Sequence, residues 1–479
     1  MKKYISASDA KSWKHCRRRV WFDHNPPAGI AAEDDAFELL IQQAGEEHEA
    51  QVKALLELRG NTIEANSAQH TKLLMAQKVA VIYQPVIVDE ENAVIGKPDF
   101  LILTDSGKYQ IADAKLAKTM KGKSELEIQL GLYRKLFASE LPALVYLGGG
   151  DVVEVGAEDD RKLDAKVDAF LHDMQVLLAQ SSPPLVHYGY SKCQVCPYHK
   201  HCVPEFEIAG DLPLLYGLDP RAVAGLQQQG IETIEALAEA DALQLGDAPY
   251  FKGRAKKQRL IQQAQSYLSG EFQLIAPIKF PEGTWIHFDV EANPLPVTGN
   301  EVYLWGLLEP PYGNAAFQSI WSAGDENGDY TAWCAFLDKV EGYRQRYARL
   351  VLAHFANYEV TQIKSYAERY GMQDDARVQW LLGDDSPLFD MRDVLTKSLV
   401  LPLKSYGLKP VCKAETLVNF QWELSESGSQ WSVVRYVDYL NSQDEAERIA
   451  IEQEILIYNR DDVKATRALE LWLRGFEAR

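Results

Sequence analysis

The sequence predicts an α/β chain of about three domains, and three observations predict it. The chain has 479 residues, and a domain takes roughly 150. Strand-like and helix-like patterns alternate over residues 1–208 and again over 273–479, as mixed α/β layers require. Between them, 209–272 carries only short helical patterns around a Gly-led turn, as a small all-α module would.

The elements follow in order. Helical periodicity runs over 33–59, strands over 81–88, 100–104 and 109–114, a helix over 126–137, a strand over 143–147 and a helix over 161–180. In the middle, a helix from 223 leads through Gly230-Ile231 to a second helix, and the basic run Lys252, Arg254, Lys256, Lys257, Arg259 follows. Strands return at 284–290, 302–308 and 317–321. A helix near 331–348, a strand at 350–355 and a long helix over 445–475 complete the pattern.

Composition excludes several classes. The chain is 46% hydrophobic and 25% charged, which is ordinary globular usage and rules out wholesale disorder. Lys+Arg 50 against Asp+Glu 69 gives a net charge of −19, so a protein coating nucleic acid with a global positive field is excluded. Contact with nucleic acid requires local basic patches or metal ions held by carboxylates. No apolar run reaches the roughly 18 residues of a membrane helix, and no apolar segment follows Lys2-Lys3 as in a secretory signal. The expectation is a cytoplasmic protein with no membrane partner.

Three groups of residues carry chemistry. In the first, Gly96-Lys-Pro-Asp99 precedes Asp113-Ala-Lys115. Strand side chains alternate, so Asp113 and Lys115 share a face, and a hairpin brings Asp99 alongside. Paired carboxylates suit Mg²⁺ or Mn²⁺, and a nearby ammonium steadies charge developing on a phosphate. His48, on the upstream helix, is placed to complete the metal shell. Gln129 and Tyr133, four apart on a helix, share a face from which to touch nucleic acid or orient the lysine.

The second group is Cys193-x₂-Cys196-x₅-Cys202 with Cys16 far upstream. Four thiolates suit Zn²⁺ or a [4Fe–4S] cluster, and spacing alone does not choose between them. His199 and His201 keep a mixed zinc site open. Cys334 and Cys412 read as plain core or surface residues.

The third group lies in the last part. Asp289-Val-Glu291 places two acids on one strand face, Glu359 follows the strand at 350–355, and Tyr458 stands one helical turn before Asp462. Converging acids suit metal-assisted phosphodiester cleavage, with the tyrosine orienting a water.

The ordered set His48, Asp99, Asp113-x-Lys115, Gln129-x-x-x-Tyr133 resembles the RecB-like branch of the PD-(D/E)XK nucleases, over about residues 1–205. That resemblance implies a restriction-endonuclease-like fold, a divalent metal at His48, Asp99 and Asp113, and catalytic roles for Asp99, Asp113, Lys115, Gln129 and Tyr133. Iron–sulfur members of the branch have one early and three late cysteines. The resemblance therefore implies a [4Fe–4S] cluster on Cys16, Cys193, Cys196 and Cys202, with Zn²⁺ as the alternative.

The third group is similar to RNase H-like exonucleases of the DEDDy type. This implies catalytic roles for Asp289, Glu291, Glu359, Tyr458 and Asp462, with metal on Asp289, Glu291 and Asp462. Two departures stand out. Ala292 and Asn293 follow the first motif where Thr is common, and the second acid is Glu, with Asp390 as another candidate for that role. Residues 209–272 resemble a helix-hairpin-helix, whose turn presents N–H groups to phosphates.

The implied organisation is a nuclease domain with the cysteine cluster at 1–208, a helix-hairpin-helix at 209–272 and an RNase H-like domain at 273–479. The expected function is metal-dependent hydrolysis of nucleic acid, single-stranded DNA foremost, in repair, recombination or defence. No G-x-x-x-x-G-K-[ST] loop is present, so unwinding would need a separate helicase. The alternative is a non-catalytic nucleic-acid-binding scaffold, partner of a helicase, whose cluster is structural. A third reading makes the cluster a redox switch.

Overall fold

The computed structural model describes residues 3–27, 29, 36–156, 160–248, 251–295, 300–322, 324, 327–424 and 428–477. They divide into two compact units, 1–187 with 191–203, and 188–190 with 204–479.

The first unit is built on a six-stranded mixed sheet in the order Thr62–Glu64, Val81–Tyr83, Phe100–Leu103, Tyr109–Lys115, Ala143–Leu147, Val152–Val155. Phe100–Leu103 and Tyr109–Lys115 run antiparallel through a tight turn, with Phe100 opposite Ala112. Tyr109–Lys115 and Ala143–Leu147 run parallel, joined by the helix Ser124–Leu136. Such a parallel pair needs a crossover, and the helix covers the sheet face it crosses. Ile111 and Val145 of the sheet, Leu130 and Leu132 of that helix, and Phe170 share one buried core.

One departure from expectation has a local cause. The predicted strand 81–88 is two short strands, Val81–Tyr83 and Ile87–Asp89, in different sheets. Gln84 adopts φ 51, and Pro85 has no N–H to donate, so one ladder cannot run through. The predicted helix from 33 is Ala36–Glu57, and 33–35 lie outside the described residues.

The second unit holds a five-stranded sheet in the order Phe317–Trp321, Glu301–Leu308, Thr284–Asn293, Leu350–His354, Leu388–Asp390. Its first three strands are antiparallel, and the last two join parallel. The central strand reads Thr-Trp-Ile-His-Phe-Asp-Val-Glu-Ala-Asn and is buried along nearly its whole length, as a strand covered on both faces must be. A bulge between Glu291 and Ala292 shifts its register as it leaves the acids. The 30-residue helix Glu445–Arg474 packs on this sheet and buries Ile451, Ile455, Val463, Leu469 and Leu473.

Residues 209–272 group with the second unit. The helices Pro220–Gln227 and Ile234–Ala238 flank Gly230, which takes φ 80 and ends the first helix as a left-handed cap. The expected basic face is partly consumed inside the fold. Lys257 is buried on the Leu245 carbonyl and pairs with Asp247 at 2.7 Å, and Arg259 donates to the Thr396 carbonyl. Lys252, Arg254 and Lys256 remain exposed.

Candidate functional site

The hairpin of the first unit brings Asp99, Asp113 and Lys115 together. Asp113 Oδ1 accepts the Asp99 N–H at 3.0 Å, and Asp99 Oδ2 accepts the Ala114 N–H at 2.8 Å. Lys115 Nζ lies 2.6 Å from Asp113 and 3.8 Å from Asp99. Burial, with Asp113 beside it, raises the Asp99 carboxyl far above the usual carboxylate range, against the pull of Lys115. Burial pulls the Lys115 ammonium down, but Asp113 and Asp99 outweigh it and hold it above its ordinary value.

The partners expected around these groups are placed differently. His48 Nε2 donates to the Tyr146 carbonyl at 2.9 Å, one strand over from Ala114. The helix residue whose charge reaches both Asp99 and Lys115 is its neighbour Glu49, which accepts from Gln84. Lys115 is held by the two acids. Gln129 Nε2 donates to Tyr133 OH at 3.0 Å, and that hydroxyl donates to the Lys97 carbonyl at 3.0 Å. Tyr133 is 4% exposed. It ties the loop before Asp99 to the crossover helix, and the charges of Asp113 and Asp99 reach it.

Cys16 and Cys193 lie close enough to Cys196 in the same unit to influence its thiol, but the three sulfurs do not gather within 4.8 Å. Burial raises the Cys196 thiol, and Cys16 and Cys193 add to the rise, while a Tyr198 N–H and the Arg19 charge oppose it. His15 Nε2 donates to the Lys192 carbonyl at 2.9 Å, and Tyr198 OH donates to Asp23 at 3.1 Å. These contacts clasp the N-terminal helices to the segment carrying Cys193, Cys196 and the buried Cys202. His199 Nδ1 lies 3.1 Å from the Cys196 carbonyl, and His201 packs edge-on against Phe22. None of the six cysteines forms a disulfide. Cys412 is buried in the second unit, and Cys334 bonds the Tyr330 hydroxyl.

The acids of the second unit converge furthest. Asp289, Glu291 and Asp462 each offer an oxygen, and the three lie within 4.8 Å of one another. Among the described residues this is the one set of three or more His, Cys, Asp or Glu ligand atoms drawn so close. Burial, then the charges of Glu359 and Asp462, pushes Asp289 well above the usual carboxylate range; burial, then Asp289 and Asp462, does the same to Glu291, and burial raises Asp462. Carboxylates crowded in this way want a cation, and the donor set is the all-oxygen kind that suits Mg²⁺ or Mn²⁺. Glu359 shares a hydrogen bond with Asp289, and its Oε2 is buried. Asp390, the other candidate for the second acid, instead caps the helix Met391–Ser398 and accepts the Ala356 N–H at 2.8 Å.

Four side chains that the sequence reading passed over hold this centre. Asn459, fully buried, donates to Asp289 Oδ2 at 2.8 Å. Trp422 Nε1 donates to Asp462 Oδ1 at 2.6 Å. Ser432 bonds Glu291 and lies 2.7 Å from the Tyr303 hydroxyl. Lys409 donates to the Tyr458 hydroxyl at 3.0 Å. Only Asn459 carried a signal, since it stands three before Asp462 on one helix face.

Two family models match the chain. Residues 8–203 match a model of the PD-(D/E)XK nuclease superfamily, and residues 286–474 one of the RNase H superfamily. The chain carries both nuclease-superfamily domains. The PD-(D/E)XK domain contains Asp99, Asp113 and Lys115, and the RNase H-superfamily domain contains the converging acids. Among solved structures, the crystal structure of SSO0001 matches at 17% identity over 42% of this chain and 86% of that one, with a TM-score of 0.25. No curated protein gives a significant match. No helix among the described residues is long and apolar enough to cross a membrane.

Proposed function

We propose that the protein is a divalent-metal-dependent nuclease with two hydrolytic centres, acting on single-stranded DNA. The observation that carries this is the convergence of Asp289, Glu291 and Asp462 within 4.8 Å beside Tyr458, inside an RNase H-superfamily domain. Asp289, Glu291 and Asp462 would hold Mg²⁺ or Mn²⁺ there, and Asp99 and Asp113 would hold one in the PD-(D/E)XK domain, with His48 as the expected further ligand. An ion held there would lower the pKa of a water and offset charge on the phosphate. In cleavage, the water oxygen would bond to phosphorus as the bond to the leaving oxygen breaks, the water giving up a proton to solvent and the leaving oxygen taking one up. Tyr458 orients that water, and Glu359 steadies Asp289. In the other centre, Lys115 neutralises the growing phosphate charge, while Gln129 and Tyr133 fix the loop that delivers Asp99.

Aromatic groups around the second centre support a single-stranded substrate. Tyr358 is 43% exposed and feels the charges of Glu291 and Asp289, and Trp431 lies edge-on to Tyr458 at 5.6 Å. Unstacked bases bind on such rings. Cys16, Cys193, Cys196 and Cys202 would hold a [4Fe–4S] cluster. The reading extends to DNA repair or defence, with unwinding supplied by a separate helicase.

The test is degradation of end-labelled single-stranded DNA with Mn²⁺ by anaerobically purified protein, beside Asp113→Ala, Asp289→Ala and the double variant. Loss in one single variant assigns the working centre, and loss only in the double variant assigns both. Intact DNA and RNA with the unsubstituted protein would refute the nuclease reading and leave the non-catalytic scaffold.

A further inference from the structure

A lysine stands among the acids of the second centre. Lys409 lies on the short helix Leu408–Lys413, whose other face buries Val411 and Cys412 in the core. That anchoring aims Lys409 inward. Its Nζ donates to the Tyr458 hydroxyl at 3.0 Å, lies 4.1 Å from the centre of the Tyr458 ring and stands 3.9 Å from Asp462 Oδ2. The hydroxyl in turn bonds Asp462. The phenol is therefore held at both ends, accepting from an ammonium and donating to a carboxylate.

This arrangement has a physical purpose. Tyr458 is 3% exposed, and its ring meets Trp431 edge-on. Packing fixes the ring, but a hydroxyl still rotates about its C–O bond unless its partners are set. Beside three carboxylates a lone phenol would simply donate to whichever oxygen is nearest. An ammonium on its lone pair selects one direction for the O–H and keeps the oxygen at one place. Burial holds the Lys409 ammonium below its ordinary value, against the pull of Asp462, Glu291 and Asp289. Trp422 and Lys413 line the outer side of Lys409: Trp422 lies 6.0 Å from the Lys409 ammonium and 5.5 Å from that of Lys413.

We propose that Lys409 is the positioning residue of the second centre, acting through the Tyr458 hydroxyl to set the water that attacks the phosphate. The proposal rests on the nuclease reading above and adds no chemical step to it. A misplacement of about 1 Å in an oriented group costs on the order of 10² in rate, so kcat should fall by about that factor while KM for DNA stays in place.

The experiment uses the full chain carrying Asp113→Ala, so that cleavage reports the second centre alone. Lys409→Met, Tyr458→Phe and their combination are compared by kcat and KM on single-stranded DNA, with Lys409→Arg as the conservative variant and Mn²⁺ affinity as a readout without turnover. Lys409→Met and Tyr458→Phe should each lose roughly a hundredfold in kcat, and the combination should lose little more, because both break one chain of bonds. Lys409→Arg should recover much of the rate. Removing a positive charge this near the acids should tighten Mn²⁺ by roughly tenfold in Lys409→Met. Losses that multiply in the combined variant, a Lys409→Met chain as fast as its parent, or unchanged Mn²⁺ affinity each overturn the role of Lys409. A parent chain that does not cut at all refutes catalysis at this centre, and the proposal falls with it.

Discussion

Placing a methyl group at Gly306 should disable the second centre without touching any acid. Gly306 stands directly opposite Asp289 on the neighbouring strand. A Cβ there would lie 1.7 Å from Asn459 Oδ1 and 2.9 Å from both Asn459 Cγ and a ring carbon of Phe317. Asn459 is fully buried, so its amide has little room to retreat, and its Nδ2 is the donor to Asp289. Overpacking a core costs about 1–3 kcal/mol, and loss of a hydrogen bond to a charged group about 1.5–3 kcal/mol. Gly306→Ala should therefore cost about 2.5–6 kcal/mol. In a domain of this size that lowers the melting temperature by roughly 5–25 °C. Calorimetry is the assay, because a chain of two units need not melt in one transition, and Mn²⁺ affinity should fall with the melting temperature. The combined variant Gly306→Ala, Asn459→Ala removes the clash, so its loss should be smaller than the sum of the single losses. A Gly306→Ala chain that melts within about 1 °C of the parent, or strict additivity in the pair, would refute this account.

Three further outcomes follow from the geometry. Tyr133→Phe removes the hydroxyl between Gln129 and the Lys97 carbonyl; it should cost about 1–2 kcal/mol in urea melts and slow cleavage by an Asp289→Ala chain, in which only the first centre works. Metal-free protein should lose stability as pH rises from the ordinary carboxylate range toward about 8. Asp289, Glu291, Glu359 and Asp99 bind protons more tightly folded than unfolded, so their stabilising contribution is full at low pH and is lost as pH passes their raised folded values. Saturating Mn²⁺ should flatten that slope, and a melting temperature that climbs over the same range would contradict it. Cys16→Ser should lower iron content and open the first unit to protease near its N-terminal helices, since a bridged loop loses its constraint; unchanged iron and protease resistance would remove Cys16 from the cluster.

The period-two pattern of 109–114 and the tight turn before it made the Asp99, Asp113, Lys115 grouping readable, because hairpin geometry is local. The long apolar strand ending in Asp289 and Glu291, and the helical spacing of Tyr458 and Asp462, were readable for the same reason. His48 marked the correct helix, yet the neighbouring Glu49 is the side chain whose charge reaches the site. A one-residue rotation of about 100° on a helix is decided by packing, which periodicity over 33–59 does not fix. Lys409 left no trace, since 400–424 has no strong period and its meeting with Tyr458 depends on how the whole unit closes. The basic run 252–259 looked like one face, but Lys257 turns inward to the Leu245 carbonyl.

The two centres differ in how far the chain must travel to make them. Asp99 and Asp113 bond across a separation of 14 residues, whereas Asp289 waits for Asn459 170 residues on, and His287, two positions before it, for Glu470 at 183. Local contacts form early, and distant ones carry a closure entropy that slows them. The second centre is therefore complete only where the helix Glu445–Arg474 lies on the strand Thr284–Asn293, so its chemistry belongs to the closed unit as a whole, whereas the first acid pair is the property of one hairpin.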